Sequence, residues 1–141
     1  MGILLRFIDL LQQKIDRLLL LVSLLLNLDF KVPLGQVSYH VPCHLRVQNI
    51  GLKTKEMLER VPDTVVKTVE RCSGHDGTYA VKAETYDKAK KIAKPVVKRV
   101  IDSEPDEFGS DCPMAGRLIA EGVEGGEAKH PVSMVRQAYG I

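Results

Sequence analysis

A chain of 141 residues, 45% hydrophobic and 27% charged, has room for one real core and is too short for two. A formal charge of +2, no Trp and scattered aromatics argue against a nucleic-acid surface, which needs a basic field with stacking platforms. Three cysteines, an odd number with no convincing secretory signal, argue against a disulfide scaffold and for a reducing cytoplasm.

The first 28 residues are Leu-rich. Asp9, Lys14, Asp16 and Arg17 interrupt them and no small-residue cleavage site follows, so the stretch makes a poor signal peptide. Its uncharged run, Leu18 to Leu28, falls short of the ~20 apolar residues that span a bilayer. Residues 4–26 read as one helix with a heptad seam: Ile8, Ile15 and Val22 at one position, Leu4, Leu11, Leu18 and Leu25 at the other. Phe7, Leu19, Leu21 and Leu26 widen the stripe. Such a helix covers its own domain, self-associates, or lies peripherally on the inner membrane surface.

After a connector punctuated by Pro33 and Gly35, strand and helix patterns alternate. Strand 36–42 leads to a turn between Cys43 and Gly51 and a helix near Lys53–Arg60. Strand 64–71 follows, then the Gly-rich turn Cys72–Gly77 and a helical stretch from Thr78 to Ile101, which Pro95 should kink or restart. A short strand ends at Asp111. A helix begins at Pro113 and runs to about Glu121, and a last one runs from Pro131 to about Tyr139. This alternation predicts an α/β fold, a small parallel Rossmann-like sheet flanked by helices, over residues 29–141. The lysines of 82–99 and the glutamates of 121–127 read as solvated faces.

Cys43, Cys72 and Cys112 each fall where a strand pattern ends and a Gly- or Pro-marked turn begins. The carboxyl ends of parallel strands share one edge of a sheet, and ligands bind in the crevice outside it. Three thiols from distant parts of the chain should therefore converge, each at or just before a helix start, where negative charge is favoured. Thiolate is the form that binds metal. Gly74 and Gly77 would let backbone N–H groups approach a cofactor's sulfurs. His44, beside Cys43, and His75, three after Cys72, are candidate further ligands for a Cys₃His zinc site or a cluster. Asp76 and Asp111 read as helix caps rather than iron ligands, and His40 and His130 as structural. A Cys72–His75 nucleophile is the weaker alternative, because no substrate-pocket signature accompanies it.

Three blocks carry a resemblance: His40-Val-Pro-Cys43-His-Leu-Arg46, Val69-Glu-Arg-Cys72-Ser-Gly-His-Asp-Gly-Thr78 and Ser110-Asp-Cys112-Pro-Met-Ala115. In this order they resemble the cysteine-rich CCG domain of heterodisulfide reductase-like iron–sulfur oxidoreductases. Within that family there is a particular likeness to the C-terminal domain of anaerobic glycerol-3-phosphate dehydrogenase iron–sulfur subunits. The resemblance covers roughly Asp29 to Ile141. It implies an electron-transfer module, not a catalyst in its own right, with Cys43, Cys72 and Cys112 as ligands of an iron–sulfur cluster such as 4Fe-4S and a redox protein as partner. It departs from the family in two places, since the motif's paired cysteine is Ser73 here and the last cysteine of its terminal Cys-x-x-Cys is Ala115. Three thiolates would leave one iron open or otherwise ligated, and the five-cysteine noncubane arrangement does not form. A metal-free docking domain that keeps the fold is the alternative from another class.

Overall fold

The 20-residue helix Ala83–Asp102 shows how the chain builds its core. Ala89, Ala93, Val96, Val97 and Val100 recur at helical spacing and are buried, while the lysines between them face outward. Pro95 lies on the exposed side, where the carbonyl that loses its helical hydrogen bond is open to solvent. The helix runs through it unbroken, without the restart expected from sequence. This computed structural model describes residues 29–48 and 51–141. The Leu-rich helix expected over residues 4–26 lies outside the described residues.

In chain order the elements are β1 (Gly35–His40), α1 (Cys43–Val47), α2 (Lys53–Leu58), β2 (Thr64–Val69), α3 (Ala83–Asp102), β3 (Glu107–Ser110), α4 (Pro113–Ala120), β4 (Ala128–Lys129) and α5 (Pro131–Ala138). The sheet has the order β2-β1-β3-β4 with every pairing parallel. The α/β class expected from the alternation is therefore what the chain adopts. The strands end one or two residues earlier than the pattern suggested. The helix expected from Thr78 begins at Ala83, because residues 77–82 are taken up by turns.

Side-chain alternation along the strands divides the sheet between two cores. Val37, Tyr39 and Val41 pack with Leu58 of α2 and Met134 and Ala138 of α5. On the other face Phe108 and Val69 pack with α3 and with Leu118 and Ile119 of α4. Helices thus cover both faces of the sheet, α2 and α5 on one, α3 and α4 on the other. The lead-in to β1 is tied to the second helix of the first pair: Phe30 stacks on Tyr139 at 4.6 Å, and the Lys31 amide donates to the Ala138 carbonyl. Among the described residues, no helix is long and apolar enough to cross a membrane.

The chain leaves β1 toward the α2/α5 face and β3 toward the α3/α4 face, although the two strands are neighbours. That reversal opens a crevice between their carboxyl ends. On its other side β3 packs closely against β4, and that approach depends on Gly109, because a Cβ there would fall inside the Lys129 carbonyl oxygen and within 2.8 Å of the Met134 methyl. We expect Gly109→Ala to lower the urea-derived stability by at least about 2 kcal/mol. Gly77→Ala, at φ +51 with open space around it, should cost no more than about 1–2 kcal/mol. Equal losses would contradict the packing assigned to β3 and β4.

Candidate functional site

Cys43 opens α1 directly after β1, Cys72 follows β2 by three residues, and Cys112 is the N-cap of α4 after β3. β2, β1 and β3 are adjacent and parallel, so all three cysteines lie at one carboxyl edge, as the pattern implied. Neighbouring strands are about 4.8 Å apart. The order along the edge is Cys72, Cys43, Cys112, with the last two flanking the β1/β3 crevice. All three are free; Cys43 and Cys72 are exposed and Cys112 is half-buried.

Two of the thiols already receive hydrogen bonds. The Arg46 guanidinium, one helical turn on, donates to Cys43 Sγ at 2.9 Å. The Gly74 amide donates to Cys72 Sγ at 3.4 Å. Gly74 is held at φ +80 because its α-carbon packs against the backbone of α3 at Ala89 and Ala93. Gly77 is also left-handed, at φ +51, but makes no such approach.

Some expectations are corrected. Cys72 is not at a helix start; turns occupy the chain until α3 begins at Ala83, because Gly74 and Gly77 hold left-handed geometry. Asp111 does not cap α4, whose N-cap is Cys112 with no side-chain capping bond. Its carboxylate instead accepts hydrogen bonds from the buried Tyr39 hydroxyl and, at 3.1 Å, from Thr54 Oγ1 of α2. Burial first, and then that carboxylate, push the Tyr39 phenol well above its ordinary range. His130 caps α5 by accepting from the Val132 amide at 3.2 Å, the structural role expected of it.

His44 is exposed on α1. His75 is half-buried, and its Nδ1 is buried without a hydrogen-bond partner among the described residues. The two positions where the motif would have further cysteines are closed off. Ser73 is 5% exposed, its hydroxyl accepting from the His75 amide, and Ala115 lies in the core at 3%. Among the described residues, no three His, Cys, Asp or Glu side chains stand close enough together to hold a metal as they are oriented. The edge offers soft donors in one row, without a ready-made chelate.

Sequence reasoning placed His40 among structural residues but missed what it connects. Its ring is 2% exposed at the end of β1. Nε2 lies 2.9 Å from the Arg71 carbonyl and Nδ1 2.9 Å from Ser110 Oγ. A carbonyl only accepts, which assigns the proton to Nε2 and makes Nδ1 the acceptor of the Ser110 hydroxyl. Ser110 Oγ in turn accepts from the Cys112 amide at 3.2 Å. The only sequence signal was a histidine in a strand that also carries Gln36 and Ser38.

No protein-family model matches the chain, and no solved structure does. Among curated proteins, a subunit of the anaerobic glycerol-3-phosphate dehydrogenase of Escherichia coli K12 is 30% identical over 104 residues. Its counterpart in strain O157:H7 matches equally. The aligned region covers 73% of this chain and 26% of each relative, so the chain spans about a quarter of the length of the proteins it matches. The chain is therefore related to a stretch of an oxidoreductase subunit.

Burial holds the His40 imidazole below its ordinary value of 6.5, and the Arg71 carbonyl offsets part of that effect. The unfolded chain then binds a proton that the folded one does not. The stabilisation is full above 6.5 and is lost as pH falls through the lowered folded value. The urea midpoint should fall between about pH 7 and pH 5, and His40→Gln should flatten that slope. Parallel slopes for the two proteins would exclude His40 as the source.

Proposed function

We propose that residues 29–141 form a CCG-like electron-transfer module of an oxidoreductase complex, with residues 1–28 a separate Leu-rich segment available for self-association. In this reading Cys43, Cys72 and Cys112 hold an iron–sulfur cluster. The observation that carries it is the placement of three free thiols on adjacent parallel strand ends, in a chain related to a dehydrogenase subunit.

The donor chemistry suits the group. Thiolates are the common ligands of such clusters, and backbone amides such as that of Gly74 tune their potentials. Cys43 and Cys72 are exposed, so rotation about χ1 is open to them and a binding cluster would gather the sulfurs. His75, whose Nδ1 lacks a partner among the described residues, is a fourth donor for the open iron, with His44 the alternative. The cluster would supply one-electron chemistry, and the chain would supply thiolates and oriented amides. Val47, Val81 and Met114 are 82%, 60% and 38% exposed, one from each cysteine-bearing segment. Exposed apolar side chains on these segments suit the docking of a redox partner protein.

A second reading, a metal-free interaction domain, draws on the burial of Ser73 and Ala115 and on the lack of a preassembled donor group among the described residues. A third, a structural zinc site, uses the same thiols with His44 or His75. Anaerobic purification with iron, sulfide and zinc assays and EPR separates the three. We expect a brown sample with iron and sulfide, and loss of more than about half the iron in each of Cys43→Ser, Cys72→Ser and Cys112→Ser. Zinc alone would establish the structural site, and a metal-free sample would establish the docking domain.

A further inference from the structure

We propose that His40 and Ser110 are positioning residues that lock the Cys72 and Cys112 segments to each other across β1, so that these two thiols move as one unit. The purpose of this lock rests on the thiol-site reading above; its geometry does not. The path is continuous. The Cys112 amide donates to Ser110 Oγ at 3.2 Å, the Ser110 hydroxyl donates to His40 Nδ1 at 2.9 Å, and His40 Nε2–H donates to the Arg71 carbonyl at 2.9 Å. Arg71 is bonded to Cys72. Three strand ends are thereby joined by one ring.

The chemistry needs this pair of residue types. A neutral imidazole is the side chain that presents a donor and an acceptor on opposite sides of a rigid ring. It therefore bridges a carbonyl on one neighbouring segment and a hydroxyl on the other. Serine supplies the remaining element, an oxygen that donates to the ring while accepting from an amide. His40 and Ser110 are each 2% exposed, so water does not compete for the bond between them. An ordinary core histidine would be satisfied by any nearby carbonyl and hydroxyl. Here one partner immediately precedes a cysteine, and the other holds the amide of a cysteine.

Cys43 is the internal control. It lies between the other two along the edge, yet its sulfur is held by Arg46 within α1 and takes no part in the relay. Losing the relay should free Cys72 and Cys112 together and leave Cys43 as it was.

The test is per-cysteine alkylation kinetics on the full chain, read by mass spectrometry, with Cd²⁺ titration alongside. His40→Ala should change the alkylation rates of Cys72 and Cys112 together by at least about fivefold, with Cys43 within about twofold. His40→Gln, which keeps a donor and an acceptor, should restore both rates. Ser110→Ala should reproduce the His40→Ala pattern, and the double variant should add little to either single one. The affinity of three-thiolate Cd²⁺ binding should fall about tenfold in His40→Ala and recover in His40→Gln. Unchanged rates in a variant with native circular dichroism would overturn the proposal, as would equal acceleration of all three cysteines. If His40→Ala does not fold, Ser110→Ala and His40→Gln decide the matter by the same rates. Failure of the wild-type chain to bind Cd²⁺ through its thiols would defeat the metal reading, while the alkylation pattern would still judge the lock.

Discussion

One buried imidazole fixes the geometry of the carboxyl edge. Parallel strands hold one another by backbone bonds along their length, but those bonds stop where the strands stop, and the three cysteines come just beyond that point. Something else must keep the loops in register. His40 does so on the α3/α4 face, reaching Arg71 on one side and Ser110 on the other. On the opposite face the neighbouring residue Tyr39 donates to Asp111, which Thr54 also binds. Consecutive residues of β1 thus clamp consecutive residues at the end of β3, one from each side of the sheet. Removing a partner from either buried clamp leaves a stranded polar group, a loss of about 1–3 kcal/mol.

The strand order makes this edge the candidate site. With β1 central and its chain leaving toward α1 and α2, while β3 turns to α4 on the other face, no helix among the described residues crosses the gap between their carboxyl ends. Cys43 and Cys112 border that gap, and Cys72 stands one strand away. Exposed Val47, Val81 and Met114 belong to the same three segments. The segments that carry the cysteines thus expose apolar side chains as well as soft donors.

The alternation of short β-branched runs with helical patterns was enough to read the fold class, because each element carries its own periodicity. β4 carries no sequence signal because Ala128–Lys129 is two residues long, too short for any period, and follows directly on the acidic stretch 121–127. The shared edge of the cysteines was legible for the same reason as the fold: parallel strands put their carboxyl ends together. The roles of Asp111 and His40 were not. Both depend on partners about 70 residues away in sequence, Tyr39 for Asp111 and Ser110 for His40, and local pattern carries no such pairing. Cys72 looked like a helix start because Gly-rich turns often open helices, whereas Gly74 and Gly77 here keep the chain in turns for a further stretch.

The central claim is that three thiols on separate strands are near enough to serve one centre. Trivalent arsenic takes three thiolates, and the most direct measurement is a titration of the reduced chain with arsenite against free-thiol content. The account predicts that about one equivalent removes all three free thiols, and that Cys43→Ser, Cys72→Ser or Cys112→Ser each abolishes the tight complex. Retention of a free thiol at saturation in the wild-type chain would contradict it.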